Sequence, residues 1–236
     1  MPDVKELKEK LAYSCNILAY EGHWDNILGH VSVRVPGQDR ILMKPHSFGF
    51  EEIRPQHMIV VDLAGNKVEG KYERHSEVFI HTEIYKVRPD VNCVVHSHPP
   101  YATAFGSLSQ PLRPVSHEGN IFSEGLPLFD YTTALIRTPE LGREVAKTLG
   151  PYRGVLMKNH GSTVVGPTIE VATLYAVFLE KAARIQLLAS ASGEPSWTNE
   201  EEAKIKYEQI YTPHRLGSMW DYFVRRAKKM KKLAGV

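Results

Sequence analysis

Two short apolar runs in this chain end on histidine, and that pattern limits its fold more than any other feature. Cys93-Val94-Val95 leads directly into His96-Ser97-His98-Pro99-Pro100, and Gly154-Val155-Leu156-Met157 leads into Asn159-His160-Gly161. Short apolar runs bounded by Pro and Gly read as buried strands. Side chains two apart on a strand share a face, so His96 and His98 can reach one ion. His160 repeats the arrangement at the end of a second strand. Three neutral imidazoles suit zinc and also accept manganese, cobalt or iron, and three protein ligands leave a coordination position open. A strand-end histidine also occurs as an ordinary hydrogen-bonded polar residue, and spacing alone does not bring His160 to His96.

The remaining segments alternate helical and strand periodicity. Residues 3–21 place apolar side chains at helical spacing, with Gly22 as a natural stop. Strands are expected at Val31-Val35, Ile41-Met43 and Met58-Asp62, with a turn at Ala64-Gly65-Asn66 and a short return strand through Val68. Helices are expected at His75–Arg88, Tyr101–Leu108, Pro139–Leu149 and Pro167–Ser192. Leu112–Val115, Leu126–Leu128 and Ser162–Val165 are strand candidates, and residues 198–232 are expected to be helical and aromatic. Interspersed strands and helices give an α/β class, a sheet covered by helices on both faces.

Composition excludes several functions. The formal net charge is +2 over 236 residues, too balanced to argue for nucleic acid or a membrane surface. The basic run from Arg225 to Lys232 reads as the solvated end of a terminal helix. Cys15 and Cys93 form no disulfide framework and suit a reducing cytoplasm. The charged start of the chain lacks the apolar core of a signal peptide, and no apolar run is long enough to span a bilayer.

Other candidates are less sharp. Glu77 follows Arg74-His75-Ser76 ahead of an apolar helix, where Ser76 could cap the helix and Glu77 could favour its positive end. His81 lies one helical turn after Glu77. His30, Arg34 and His46 stand near strand ends in the first third, and Lys44-Pro45-His46-Ser47-Phe48-Gly49 is a polar loop.

At these residues the chain resembles the class II aldolase/adducin family. The resemblance is carried by Gly29-His30-Val31-Ser32-Val33-Arg34, Met43-Lys44-Pro45, Ser76-Glu77 with His81, Arg88-Pro89-Asp90, Val94 to Ala104 and Asn159-His160-Gly161. It implies a single three-layer α/β/α domain over 1–236 with a largely antiparallel central sheet; the aromatics of residues 198–236 suggest in their own right a helical tail at a subunit interface. It also implies one divalent metal on His96, His98 and His160, Glu77 as the acidic residue that binds metal or moves a proton, and a homotetramer. Adducin shares the fold without the chemistry, so fold alone does not settle function.

Departures from the family pattern point to the substrate. Where sugar-phosphate enzymes of the family wrap a phosphate in small hydroxyl and amide donors, this chain has Gly29-His30, His46-Ser47 and His75-Ser76, with Arg74 beside them. Arginine pairs a planar carboxylate through two parallel hydrogen bonds, and it suits phosphate as well. Where aldolases of the family place a catalytic tyrosine, this chain reads His117-Glu118. The pattern is most similar to the family's decarboxylases of hydroxylated aromatic or pyridine dicarboxylates, in which the metal acts as a Lewis acid on a developing oxyanion. The expectation is a small carboxylate substrate held by Arg74, His75, Ser76, His30, His46 and Ser47, with Glu77 catalytic. Aldol cleavage of a hydroxy-keto acid or sugar phosphate is the first alternative, and an adducin-like binding protein without chemistry is the second.

Overall fold

The computed structural model describes residues 3–234. Eight strands form one sheet: β1 (His30–Arg34), β2 (Arg40–Met43), β3 (Ile59–Asp62), β4 (Lys67–Glu69), β5 (Cys93–Ser97), β6 (Leu128–Phe129), β7 (Gly154–Met157) and β8 (Gly161–Gly166). Their order is β4-β3-β2-β1-β5-β8-β7-β6, and all pairs are antiparallel except β6 with β7. The helices are α1 (Val4–Leu18), α2 (Val78–Val87), α3 (Pro100–Phe105), α4 (Pro139–Leu149), α5 (Ile169–Ser190), α6 (Glu200–Ile210) and α7 (Pro213–Ala234). None of them is long and apolar enough to cross a membrane.

Strand alternation divides the core in two. Val31, Val33, Leu42, Val60, Cys93, Val95, Leu156 and Val164 face a core shared with α1, α3, α5 and α7. Ile41, Met43, Ile59, Val61, Val94, Val155, Met157 and Val165 face a second core with α2 and α4. The result is the expected three-layer α/β/α arrangement. Each fully buried aliphatic side chain contributes about 1.5–3 kcal/mol. On β1 and β5 the positions sharing the second face with Val94 are His30, Ser32 and His96, all buried. Burying polar groups in a core is costly unless they are bonded, so this stretch of sheet is built for something other than packing.

The structure corrects or refines four local expectations. Helix α2 starts at Val78 rather than His75; Glu77 occupies its N-cap position and Ser76 is exposed, so Ser76 is not the cap. Leu112–Val115 is not a strand. Pro111 and Pro114 supply no N–H, and the segment is held by Gln186 of α5, which accepts from Arg113 N (2.6 Å) and donates to Pro111 O (3.1 Å). The stretch after residue 198 is helical as expected, and it divides into two because Pro213 cannot continue α6 and opens α7 instead. Finally, α1 ends at Leu18 and passes into a wider turn over Ala19–His23, where Gly22 adopts φ 97°.

Candidate metal centre

The register of β1, β5 and β8 sets His30, His96 and Thr163 side by side. His96 Nδ1 is 3.1 Å from Thr163 Oγ1, which leaves Nε2 to face the space beyond the strand ends. There His98 Nε2 stands 3.0 Å away. The other nitrogen of His98, Nδ1, is 2.8 Å from Asp25 Oδ2, a carboxylate partner of the kind that orients ligand imidazoles.

His160 comes from the β7–β8 hairpin. Asn159 turns the chain with φ 53°, a conformation asparagine tolerates better than most residues. Gly161 then lets β8 pass against the end of β5: a Cβ at this position would lie 2.5 Å from Ser97 O and 2.6 Å from His98 Cδ2. One ring nitrogen from each of His96, His98 and His160 lies within 4.8 Å of the others. His160 Nε2 is buried without a hydrogen-bond partner. An orphaned buried polar atom costs about 1–3 kcal/mol, and a cation among the three nitrogens would satisfy all of them. The donor set therefore fits a divalent ion.

Glu77 stands at the edge of this group. Its Oε1 accepts from Ile136 N at 2.8 Å, and its Oε2 is 3.7 Å from His160 Nε2, too long for a hydrogen bond. Burial raises its pKa, but the His160 ring and the Ile136 N–H outweigh that and hold the carboxyl below the ordinary value. Glu77, His30 and His96 also bring ligand atoms within 4.8 Å of one another.

A row of imidazoles leads away from the triad. Ring centroids are 4.8 Å apart for His96 and His30, 4.5 Å for His30 and His75, and 5.3 Å for His75 and His46. His46 N donates to Glu73 O (2.8 Å), which ties the loop after β2 to the loop before α2. Ser47 sits exposed beside His46, whose Nδ1 is 2.7 Å from its Oγ. Beneath the row lies Lys44, 0% exposed, with its Nζ 3.3 Å from each of Ile27 O, Pro45 O and His75 Nε2. Burial pulls its pKa down to about 8.

Other named residues lie elsewhere. The Arg74 guanidinium donates to His75 O and sits over the Phe79 ring, so its own contacts are local to the loop. Arg34 is at the opposite end of β1 from His30, bonded to the carbonyls of Tyr85, Arg88 and Val91. His81 joins His30 and Ser32 rather than the triad. Glu118 pairs with Lys181. A groove of about 990 Å³ around Arg34, Asn92 and Thr168 is at the far end of the sheet, whereas the cleft of about 340 Å³ beside His98 is lined by Trp24, Asp25, Tyr101 and Arg184. Asp25 and Thr163 are additions to the residues singled out from sequence, and Lys44, named there only as part of a polar loop, had no role of its own. Only Thr163 carried a signal, its place opposite His96 once β5 and β8 are paired.

Relatives carry the same architecture. The closely similar curated proteins include the decarboxylase NovR of Streptomyces niveus, 34% identical over 82% of this chain and 72% of its own length. They also include a 3,4-dihydroxyphthalate decarboxylase of Arthrobacter keyseri, 31% identical over 79% of each chain. Among solved structures, an L-fuculose 1-phosphate aldolase from Glaciozyma antarctica superposes with a TM-score of 0.86 at 25% identity, covering 98% of this chain and 94% of that one. Residues 9–187 match the family described as class II aldolase and adducin N-terminal domain. With that match spanning most of the sheet and every histidine of the triad, the chain belongs to the class II aldolase family.

Proposed function

We propose that this protein is a divalent-metal-dependent carbon–carbon lyase, a non-oxidative decarboxylase of an ortho-hydroxy aromatic or heteroaromatic dicarboxylate. The observation that carries the reading is the row His46, His75, His30 leading to the His96–His98–His160 triad. A wall of flat rings suits a planar acid. Lys44 beneath it is a buried cation whose near contacts are carbonyls and an imidazole, an environment that favours an anion close by. Similarity to two decarboxylases supports the same direction.

Each residue then has a task. A divalent ion, when held by His96, His98 and His160, supplies Lewis acidity to the oxygen on which negative charge develops. Asp25 and Thr163 hold the outer nitrogens of His98 and His96, so those rings keep their orientation. Glu77 moves a proton at Oε2, the oxygen not engaged by Ile136 N–H. His30, His46, His75, Ser47 and Ser76 line the substrate side, and Arg74 at the flank takes the outer carboxylate. The reading includes zinc, manganese, cobalt or iron as the ion and a homotetramer as the working form. In the C-terminal segment Leu216 and Trp220 are already buried within the chain, which leaves Ile205, Tyr222 and Leu233 for a subunit contact.

The test is to assay CO₂ release and aldehyde formation in parallel from metal-loaded protein, with ortho-hydroxy aromatic dicarboxylates and sugar phosphates. CO₂ from a dicarboxylate is the expected result. Aldehyde from a sugar phosphate would replace the reading with aldol cleavage, which the likeness to a fuculose-phosphate aldolase favours.

A further inference from the structure

Behind His30 runs a chain of buried hydrogen-bonding groups that the reading above does not use. His30 Nδ1 is 2.6 Å from His81 Nε2, and His81 Nδ1 is 2.6 Å from Ser32 Oγ. Ser32 Oγ is 2.9 Å from the Tyr85 hydroxyl, which is 3.0 Å from Ser32 O. His81 and Tyr85 are one turn apart on α2, so both face β1, where His30 and Ser32 are two apart. All four residues are buried.

Counting protons gives the chain a direction. The hydroxyls of Ser32 and Tyr85 own one proton each, a backbone carbonyl only accepts, and a short contact between two ring nitrogens takes one N–H and one lone pair. Suppose Tyr85 donates to Ser32 O, Ser32 to Tyr85, His81 Nδ1–H to Ser32 Oγ, and His30 Nδ1–H to His81 Nε2. All four contacts are then hydrogen bonds. In the reverse direction Ser32 donates to His81 and His81 to His30, and the single Tyr85 proton must go either to Ser32 Oγ or to a carbonyl, Ser32 O or the more distant Asn92 O at 3.5 Å. The reverse loses one buried hydrogen bond, a preference of roughly fivefold to a hundredfold for the forward direction. A third arrangement, with His81 protonated on both nitrogens, is disfavoured, since His81 is fully buried and burial pushes it down to about 3.

We infer that Tyr85, Ser32 and His81 are positioning residues that hold His30 as the Nδ1–H tautomer, so that its Nε2 offers a lone pair to the substrate and accepts a hydrogen bond from the substrate hydroxyl. A lone pair cannot bind a carboxylate. This assigns His30 to recognition of the hydroxyl and leaves the carboxylates to other groups; it rests on the hydroxy-acid reading for the identity of the donor, but not for the tautomer.

The tautomer can be read by ¹⁵N NMR of histidine-labelled protein, metal-free and zinc-loaded. His30 should be Nδ1–H in the wild type. Tyr85→Phe removes every contact of the tyrosine hydroxyl, after which the Ser32 proton finds an acceptor only at His81. The chain should then reverse, and His30 should become Nε2–H. Ser32→Thr keeps the hydroxyl and should keep the wild-type tautomer, which guards against a mere folding defect. In the zinc-loaded wild type, a hydroxylated aromatic dicarboxylate should bind at least tenfold more tightly than the same acid lacking the hydroxyl. Tyr85→Phe should reduce that ratio severalfold at unchanged zinc content. An Nε2–H His30 in the wild type overturns the inference. So does a His30 Nε2 signal that moves on zinc loading as those of His96, His98 and His160 do, because the lone pair would then be a metal ligand. The expected tautomer together with equal affinity for both acids would overturn the hydroxyl role and the hydroxy-acid reading, and leave only the tautomer standing.

Discussion

Gly161 and His98 are closer than any side chain at position 161 would allow, since a Cβ there would lie 2.6 Å from His98 Cδ2 and 2.5 Å from Ser97 O. The glycine that follows His160 at the start of β8 thus sets how near His98, just past the end of β5, can stand. Backbone packing between β5 and β8 and the geometry of the triad are one feature.

Gly161→Ala should therefore act on the metal centre. Ser97 O belongs to the sheet and cannot yield cheaply, so the ring of His98 would be displaced from Asp25 and His96. Zinc affinity should fall by roughly 10–100-fold, the scale seen when groups that orient ligands are lost. Competition with a chelator measures it. Unchanged affinity would mean that β8 shifts as a body and takes His160 with it.

His160→Ala tests the triad from the other side. His160 Nε2 is buried without a partner in the protein, so removing the ring should cost the metal-free fold little. Zinc should stabilise the wild type by about 2.7 kcal/mol at a free concentration one hundred times its Kd, and this increment should vanish in the variant together with stoichiometric zinc and turnover. Thermal unfolding with and without zinc reports it. An undiminished zinc increment would remove His160 from the ligand set.

How much of this could be read from sequence depends on the range of each signal. Strands β5 and β7 declare themselves because apolar runs stop at His and at Asn-His-Gly, and the histidines then fall at one end of the sheet by topology alone. Nothing local announces that Asp25, from an irregular loop, reaches His98, or that Lys44 lies buried beneath His75. These contacts are made across the fold. Leu112–Val115 looked like a strand from its apolar residues, and Pro111 and Pro114 had already removed the donors a strand needs. The break between α6 and α7 is legible at Pro213, which cannot continue a helix but can open one.

Acid should destabilise the metal-free protein over a defined window. Burial holds His23 and His81 down to about 3 and His75 to about 2, against an ordinary value of 6.5. Above pH 6.5 these rings are neutral in both folded and unfolded chains, and their contribution is constant. Below it the unfolded chain takes up protons that the folded chain refuses, so stability falls as pH falls, until about 3. Each such group contributes about 1.4 kcal/mol per pH unit, so these three set a minimum of about 4 kcal/mol per unit, to which His30 and His96, held well below the ordinary value by burial, add in the same direction. Urea unfolding at pH 7, 6 and 5 should show this slope, and His23→Gln should lower it by about one proton. A flat profile would show that these imidazoles are not held neutral.

Glu77→Gln separates ligation from proton movement. Glutamine keeps the shape and can still accept from Ile136 N through its oxygen, so the entrance to α2 should survive. What it loses is the charge facing His160 and the ability to carry a proton. If Glu77 moves a proton during the reaction, zinc content should hold while kcat falls by roughly 100-fold or more, with KM little changed. If its carboxylate instead completes the coordination of the ion, as its 3.7 Å approach to His160 Nε2 permits, zinc affinity should fall in step with kcat. Metal analysis of the purified variant decides between the two before any substrate is known, because only the second outcome changes how much zinc the protein retains.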